Sequence, residues 1–451
     1  MTIFKKIFSG SKENLIDRAC TIVIRFIEPV IFLYFLSIEG YGEWLILITI
    51  PYYLSISELG FGDVITNEIN MLKEKKKIIY CKYLFQNLLK FIIYITTFLL
   101  IIFFLSLYNF DFFVFKTITN NQLTDILTFL AIYTLVSQIN GVFTKFLSIN
   151  NKYNLSVKLN YLNKIFEIFF ISIFLFIFNE LVYVALVILI VKIIFLFLTI
   201  FYVKKYVAWI NLNSVKNFKI LISKNFFKKY FAKSILYAGM PLGQIFRIQA
   251  TTLIIGLTLG PEILVIVNIY LTLARLPIQI ANIADGIIKI ELAKLYMKEN
   301  FMLFKKYFIT NIFFGTFVGI IYLILMSFVG EIFLNYWLNQ KITYYHNIFI
   351  MLLFYGFIYT LTISISNPLF STNNFKFISI IFLLINIIAA ITLKIFSEKY
   401  GLIFVAFNFV LIEIIYFFSC FISSKKVFNL NLSEYKLDIP FLRRLFKTLK
   451  I

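Results

Sequence analysis

The chain has 451 residues, of which 61% are hydrophobic and only 14% charged, with a net charge of +21. A soluble protein of this length needs a charged shell that this composition does not provide, so we predict a polytopic membrane protein. Strands of alternating polarity are missing, which excludes an outer-membrane barrel. His346 is the only histidine, and Cys20, Cys81 and Cys420 form no CxxC spacing. We therefore expect no metal, no cofactor and no enzyme activity.

Twelve apolar runs are each long enough to cross about 30 Å of hydrocarbon as a helix. The first is expected to be a retained helix and not a removed signal sequence. A tight turn at Asn179-Glu180 separates the fifth and sixth runs. The predicted spans are 18–38, 44–65, 84–108, 124–148, 160–178, 181–203, 233–259, 262–288, 307–334, 347–371, 377–396 and 401–423.

Basic residues predict the orientation of these spans. The predicted loops on one side of the membrane, counted with the adjoining span ends, hold 34 Lys and Arg. The loops on the other side hold three. Under the positive-inside rule both termini are cytoplasmic, in a bacterial inner membrane. The positive net charge is then explained by a basic cytoplasmic face that lies against anionic membrane lipids, and a nucleic acid partner is not needed to explain it. Segments 66–83 and 289–306 are basic and amphipathic, which predicts helices at the headgroup level.

The layout of the spans predicts two related halves. In each half a short link precedes the second span, at 38–43 and 260–262, and a basic amphipathic segment follows it. We predict an N-terminal six-helix lobe, a basic cytoplasmic linker, a C-terminal six-helix lobe and a basic cytoplasmic tail. Parallel repeats of this kind are typical of transporters, whose substrate site lies between the halves near the midplane. The predicted bounds are 1–205, 206–232, 233–423 and 424–451.

Polar side chains are concentrated on a few spans. Span 8 carries Asn268, Thr272, Arg275, Gln279 and Asn282 at spacings of 4, 3, 4 and 3, which places all five on one helix face. Span 7 has a similar stripe after a predicted kink at Met240-Pro241, and span 1 carries polar residues before Pro29. The other stripe residues are Gln244, Arg247, Thr251 and Thr258 in span 7, with Thr21, Arg25 and Glu28 in span 1.

An arginine near mid-span costs about 2.5–3.5 kcal/mol on insertion scales, so it faces a partner or water. We predict a cationic, water-filled cavity lined by spans 1, 7 and 8 and closed by spans 2, 4 and 10. Guanidinium groups bind phosphate oxygens through paired N–H donors, which suits a phosphorylated headgroup. The predicted substrate-binding residues are Arg25, Arg247, Arg275, Gln244, Gln279 and Asn282.

Ion pairing is the alternative explanation for these arginines. Arg25 lies within reach of Glu28 one turn along, and Arg247 or Arg275 could pair with Asp285 or Glu167. Lys192 is interpreted as a snorkelling or helix-end lysine. The sequence contains no Walker loop, so any pumping draws on a gradient or a downstream sink. Glu28, Asp63 and Asp285, like Glu167, are candidate sites for a coupling H⁺ or Na⁺.

Short motifs in this layout resemble a known family. They are Glu58-Leu-Gly-Phe-Gly-Asp63 with Asn67 and Asn70, Met240-Pro241, Leu253-Ile-Ile-Gly256, and Leu259-Gly-Pro-Glu262 followed by Tyr270. In this order the chain resembles the Wzx-type polysaccharide flippases of the multidrug/oligosaccharidyl-lipid/polysaccharide (MOP) superfamily, which export O-antigen of lipopolysaccharide or capsule. The resemblance covers nearly the whole chain.

The resemblance implies a V-shaped pair of six-helix bundles around a cationic cavity. Its implied substrate is undecaprenyl-pyrophosphate-linked oligosaccharide, turned from the cytoplasmic to the periplasmic leaflet. Arg25, Arg247 and Arg275 are the positions that would hold the pyrophosphate. A polysaccharide polymerase and a chain-length regulator are candidate partners.

Two other functions remain open. A drug or cation antiporter of the related MATE branch would need acidic residues to dominate the cavity, whereas the mid-span charges here are predominantly basic. A membrane-embedded polysaccharide polymerase would need a long periplasmic loop. The longest predicted ones, 109–123 and 335–346, are too short for this and carry few candidate catalytic carboxylates.

Overall fold

The computed structural model describes residues 2–55, 60–107, 115–207, 224–372 and 374–429, and every regular element in those ranges is helical. This confirms the predicted all-α class. The helices are α1 (Thr2–Phe35), α2 (Ile38–Leu47), α3 (Thr49–Ser55), α4 (Phe61–Glu74), α5 (Ile78–Leu107), α6 (Asn120–Ile149), α7 (Tyr153–Phe178), α8 (Leu181–Tyr206), α9 (Lys224–Ile245), a π-helical segment (Phe246–Ala250), α10 (Thr251–Thr258), α11 (Pro261–Ala274), α12 (Leu276–Met297), α13 (Phe301–Trp337), α14 (His346–Ser371) and α15 (Lys376–Phe428).

Eight helical stretches within the described ranges are long and apolar enough to cross a membrane. The chain is therefore a multi-pass membrane protein. The predicted turn between spans 5 and 6 is confirmed, because α7 ends at Phe178, Asn179 after it is in the left-handed conformation (φ 54°), and α8 begins at Leu181. Asparagine tolerates this conformation better than most residues, which allows such a short connection.

Span 2 differs from its predicted form. Residues 38–43, predicted as a link, are the start of α2, because the side chain of Ser37 accepts a hydrogen bond from the Gly40 N–H at 3.1 Å and caps the helix there. The part of the predicted span inside the described residues consists of the short helices α2 and α3 and the first residues of α4. Residues 56–59, which include the first two residues of the Glu58–Asp63 motif, lie outside the described residues.

The two predicted headgroup-level segments are largely helical, and their depth in the membrane stays a prediction. Residues 66–83 are divided between α4 and α5 by a turn in which Lys76 has φ 57°. Residues 289–306 continue α12 to Met297 and then enter α13. The first segment thus forms most of the short helix α4 and the start of α5, and the second forms the end of α12 and the start of α13. Lys73 at the end of α4 donates to the Ile149 carbonyl at 2.8 Å, which caps the C-terminus of α6.

The chain divides into two compact units, Met1–Gly256 and Leu257–Ile451. In the first unit, α6 packs against α8 and α3, and α1 packs against α7. An ion pair between Lys164 and Asp17, 2.8 Å, joins α7 to α1. Helix α9 packs against α4 in the same unit. The predicted lobe bounds at 205 and 233 stay a prediction.

Helix α14 is central in the second unit, since it packs against α11, α12, α13 and α15. Helix α15 is two antiparallel halves joined at Gly401, whose φ of 61° and ψ of −150° suit glycine alone. The side chains of Thr392 and Asn408 hydrogen-bond across the halves at 2.7 Å. The ring of Phe382 packs on Tyr416 with centroids 4.8 Å apart. Predicted spans 11 and 12 are these two halves.

Candidate functional site

Arg275 lies at a break in predicted span 8. Helix α11 ends at Ala274, α12 begins at Leu276, and Arg275 between them has φ −90° and ψ 2°. Pro277 follows in the first turn of α12 and lacks the N–H that a continuous helix would use. The guanidinium carbon of Arg275 is 5.9 Å from the centre of the Tyr355 ring. The arginine is half-buried, and its Nε is buried without a hydrogen-bond partner among the residues that the structure describes.

The other predicted ligands of span 8 follow this break. Gln279 and Asn282 lie three residues apart on α12 and are both half-buried. The side chain of Asp285 lies outside the described residues. The five-residue stripe is therefore not on one continuous helix, because the helix is interrupted at Arg275, between Thr272 and Gln279.

Arg247 also lies on irregular backbone. Helix α9 continues through Pro241, and the departure from α-geometry comes later, in the π segment Phe246–Ala250. Arg247 is 3% exposed, and Gln244 just before the segment is half-buried. The π segment packs against α3. Single π turns within α-helices occur frequently at functional sites.

Arg25 and Glu28 belong to a charged cluster in the first unit. The two side chains interact electrostatically, as the alternative of an ion pair along α1 requires. Glu28 also interacts with Glu167 on α7, which accepts a hydrogen bond from Asn163 at 2.7 Å. Tyr52 on α3 lies close enough to interact with all three charges.

Lys192 completes this cluster from α8. Its charge interacts with that of Glu167, and its Nζ lies 5.6 Å from the centre of the Tyr133 ring. The sequence interpretation as a snorkelling lysine missed this role. A signal was present, because Lys192 stands in the middle of predicted span 6, far from either end.

Glu413 is a charged residue that the sequence analysis did not single out. It is fully buried in the second half of α15, in the middle of predicted span 12. The register of the two halves, given by Thr392 with Asn408 and Phe382 with Tyr416, places it level with the buried Asn386. A carboxylate in mid-span was again the available signal.

The predicted site residues are therefore distributed over both units. Arg25, Glu28, Gln244 and Arg247 are in the first unit, whereas Arg275, Gln279 and Asn282 are in the second. The Asp63 side chain lies outside the described residues. Within the described parts of the chain, no group of three His, Cys, Asp or Glu side chains could hold a metal ion. Half-buried guanidinium groups with free N–H capacity, as at Arg275, can bind the oxygens of an anion.

Solved structures of membrane transporters resemble this chain. One is the lipid II flippase MurJ in an inward closed conformation, with a TM-score of 0.69, 17% identity, and 97% of this chain and 92% of that chain covered. Another is an inward-facing multidrug resistance MATE family transporter of the MOP superfamily, with a TM-score of 0.74, 11% identity, and 92% and 94% covered.

A third is the MATE multidrug transporter DinF-BH, with a TM-score of 0.65, 15% identity, and 95% and 97% covered. No protein-family model matches the chain, and no curated protein matches its sequence. The likeness extends over nearly the whole of each chain, so this protein has the all-helical fold of these transporters, as the sequence predicted.

Proposed function

We propose that this protein is a flippase for undecaprenyl-pyrophosphate-linked oligosaccharide. It turns the repeat unit from the cytoplasmic to the periplasmic leaflet of a bacterial inner membrane, for assembly of O-antigen or another surface polysaccharide. It acts as a transporter and not as an enzyme, with both termini in the cytoplasm. A polysaccharide polymerase and a chain-length regulator are its proposed partners, and anionic lipids contact its basic face.

The half-buried Arg275 is the observation that carries this proposal. Its Nε is buried and has no hydrogen-bond partner within the described ranges, so an N–H donor is available for an anion. A buried donor left unsatisfied costs about 1–3 kcal/mol, and more when the group is charged. A pyrophosphate oxygen at this position would remove that cost. The MurJ structure, that of a lipid flippase, supports the same class of substrate.

The remaining proposed ligands are Arg25, Arg247 and Gln244 in the first unit, with Gln279 and Asn282 in the second. An anionic headgroup moving outward gains about 2.3 kcal/mol per charge per 100 mV of an inside-negative potential. A coupling H⁺ or Na⁺ is a second source of free energy. Its proposed sites are Glu28, Asp63 and Asp285, of which Glu28 belongs to the charged cluster with Glu167 and Lys192.

A multidrug or cation antiporter is the second candidate function. The MATE structures favour it, as does the pair of carboxylates Glu28 and Glu167 inside the first unit. A cationic substrate would be attracted to these carboxylates and repelled by Arg25. The two functions therefore differ in the effect that neutralising an arginine has on transport.

Neutralising Arg275 in the native host tests the flippase function. We expect Arg275→Ala and Arg247→Ala each to reduce surface polysaccharide at normal membrane levels of the protein. Loss of a hydrogen bond to a charged group, about 1.5–3 kcal/mol, corresponds to about 10- to 150-fold weaker binding. Arg275→Lys should retain part of the activity because it keeps the charge but not the paired donors.

Lys394→Ala is the matched control, since Lys394 is 62% exposed and pairs with Glu398 along the same helix, at 3.5 Å. Undiminished export by an Arg247→Ala/Arg275→Ala protein would disprove the flippase function. Resistance of the host to lipophilic cations, measured in parallel, separates the alternatives. An antiporter would lose resistance with Glu28→Gln and keep it with Arg275→Ala.

A further inference from the structure

The backbone carbonyl of Leu273 lacks its usual helical partner. In a continuous α-helix this carbonyl would accept the N–H of the residue four positions later, which is Pro277 and has none. Within a membrane-spanning helix such a carbonyl needs another donor. The hydroxyl of Tyr322 on α13 donates to it at 2.8 Å. The break next to Arg275 is thus stabilised by a side chain from a neighbouring helix.

Helix α14 contacts the same break from its own position in the unit. A Cβ on Gly356 would overlap the carbonyl oxygen of Ala274, so α14 approaches the backbone at the break more closely than any larger residue permits. The preceding residue, Tyr355, is 1% exposed and places its ring 5.9 Å from the Arg275 guanidinium carbon. An arginine over an aromatic face is attracted to the ring by a cation–π interaction. Contacts from α13 and α14 therefore fix both the backbone and the side chain of Arg275.

We propose that Tyr322 is a positioning residue for Arg275: its hydroxyl holds the α11–α12 break in the geometry that presents the guanidinium to the pyrophosphate. The proposal rests on the proposed function for the role of Arg275, and it adds a residue that contacts no substrate. Binding sites need their ligands held by a supporting shell, and small displacements weaken binding. Tyr322, Tyr355 and Gly356 form that shell here.

Equilibrium binding of radiolabelled undecaprenyl pyrophosphate to the purified full-length protein tests this role. Tyr322→Phe removes only the hydroxyl, and we expect it to raise the Kd about three- to tenfold, as the loss of one hydrogen bond predicts. Tyr336→Phe on the same helix is the matched control, because Tyr336 is 86% exposed. Its Kd should be that of the unaltered protein. Equal Kd values for the two variants would overturn the proposal.

Pro277→Ala separates positioning from simple stabilisation. The new N–H at 277 can reach the Leu273 carbonyl, so Tyr322→Phe/Pro277→Ala should regain the Tm that Tyr322→Phe loses. The same N–H favours a continuous helix, so the raised Kd should persist. Recovery of both quantities together would reduce Tyr322 to a structural role and contradict the proposal. If the Tyr322→Phe protein does not accumulate in the membrane, the Pro277→Ala protein is measured alone. An unchanged Kd of that variant would contradict the positioning role.

The accessibility of residue 275 can also be measured in the absence of substrate. In a protein with Cys20, Cys81 and Cys420 replaced by Ser, Arg275→Cys is labelled with a methanethiosulfonate reagent. Tyr322→Phe should change the labelling rate at least about threefold and Tyr336→Phe should not. An unchanged rate overturns the positioning role. If the rate changes while Arg275→Ala binds pyrophosphate normally, the proposed function fails and the positioning of Arg275 stands.

Discussion

Glu43 shows how one buried carboxylate organises a loop. Its side chain is fully buried at the start of the first unit and accepts hydrogen bonds from the Lys116 N–H at 2.7 Å and the Thr117 N–H at 3.2 Å. The Thr117 hydroxyl donates to it as well. One buried carboxylate on α2 therefore accepts three hydrogen bonds from the segment before α6.

Glu43→Gln should destabilise the protein by about 1.5–3 kcal/mol, because these donors lose a charged acceptor and one of them meets an amide N–H₂. Thermal unfolding in detergent measures the loss. Glu39→Gln is the control: Glu39 forms an exposed ion pair with Lys116, 2.6 Å, and its loss should cost less than about 1 kcal/mol. Equal Tm values for the Glu43→Gln and Glu39→Gln proteins would show that the segment before α6 is not held through Glu43.

Lys192 is expected to be the counter-charge of Glu167. Lys192→Met should lower stability by about 1–3 kcal/mol, less than the 3–5 kcal/mol of a fully buried pair because Lys192 is half-buried. Lys192→Met/Glu167→Gln should be more stable than Lys192→Met, since the second change removes the uncompensated charge. Additive losses in this double-mutant cycle would contradict the pairing. The exposed Lys394→Met should change stability by at most about 0.5 kcal/mol.

At the scale of an element, Gly401 determines how α15 folds back on itself. Its φ of 61° and ψ of −150° are accessible to glycine but strained for alanine. Gly401→Ala should therefore cost about 1–3 kcal/mol. Gly141→Ala, in mid-helix in α6 with no atom within 4 Å of the added Cβ, should instead stabilise by about 0.5–1 kcal/mol. Gly401→Ala is expected to lower the Tm and Gly141→Ala to raise it. A Gly401→Ala protein as stable as the parent would show that alanine is not strained at this position.

Predicted spans 7 and 8 show what periodicity predicts and what it does not. The spacing of Asn268, Thr272, Arg275, Gln279 and Asn282 predicted one polar face on an unbroken helix, whereas the helix is interrupted at Arg275. Pro277 was the available signal for the break. The π segment has no comparable signal, since Pro241 lies five residues earlier and leaves α9 helical. Such irregularities depend on contacts from other helices, as Tyr322 and Gly356 show, and a linear pattern does not contain them.

For the whole molecule, composition and apolar run length were sufficient for the fold class, and the transporter structures confirm it. The tight turn at Asn179 was also predictable because its residue type suits a left-handed conformation. Glu167 and Lys192 lie equally far from this turn in the sequence, so their similar depth was predictable from it. A single sequence does not determine which faces of α7 and α8 meet, so the interaction of the two charges was not predictable.

The distribution of basic residues predicts the orientation of the chain in the membrane. In a protein with the three native cysteines replaced by Ser, Lys341→Cys lies between α13 and α14 and should react with an impermeant maleimide in intact spheroplasts. Lys298→Cys, exposed after α12, should react only after lysis. The positive-inside rule requires this pattern, and the reverse labelling would invert the topology.

The π segment at Phe246–Ala250 has a consequence for how this chain can vary in length. A π turn is an α-helix that carries one additional residue. Deleting one residue within this segment would restore α-geometry and leave α9 and α10 in nearly their present orientations, whereas deleting one residue of α10 would rotate α9 by about 100° relative to the chain that follows. Gln244 would then face another neighbour, as would the side of α9 that packs against α4. A one-residue deletion within 246–250 should therefore be better tolerated than one within 251–258.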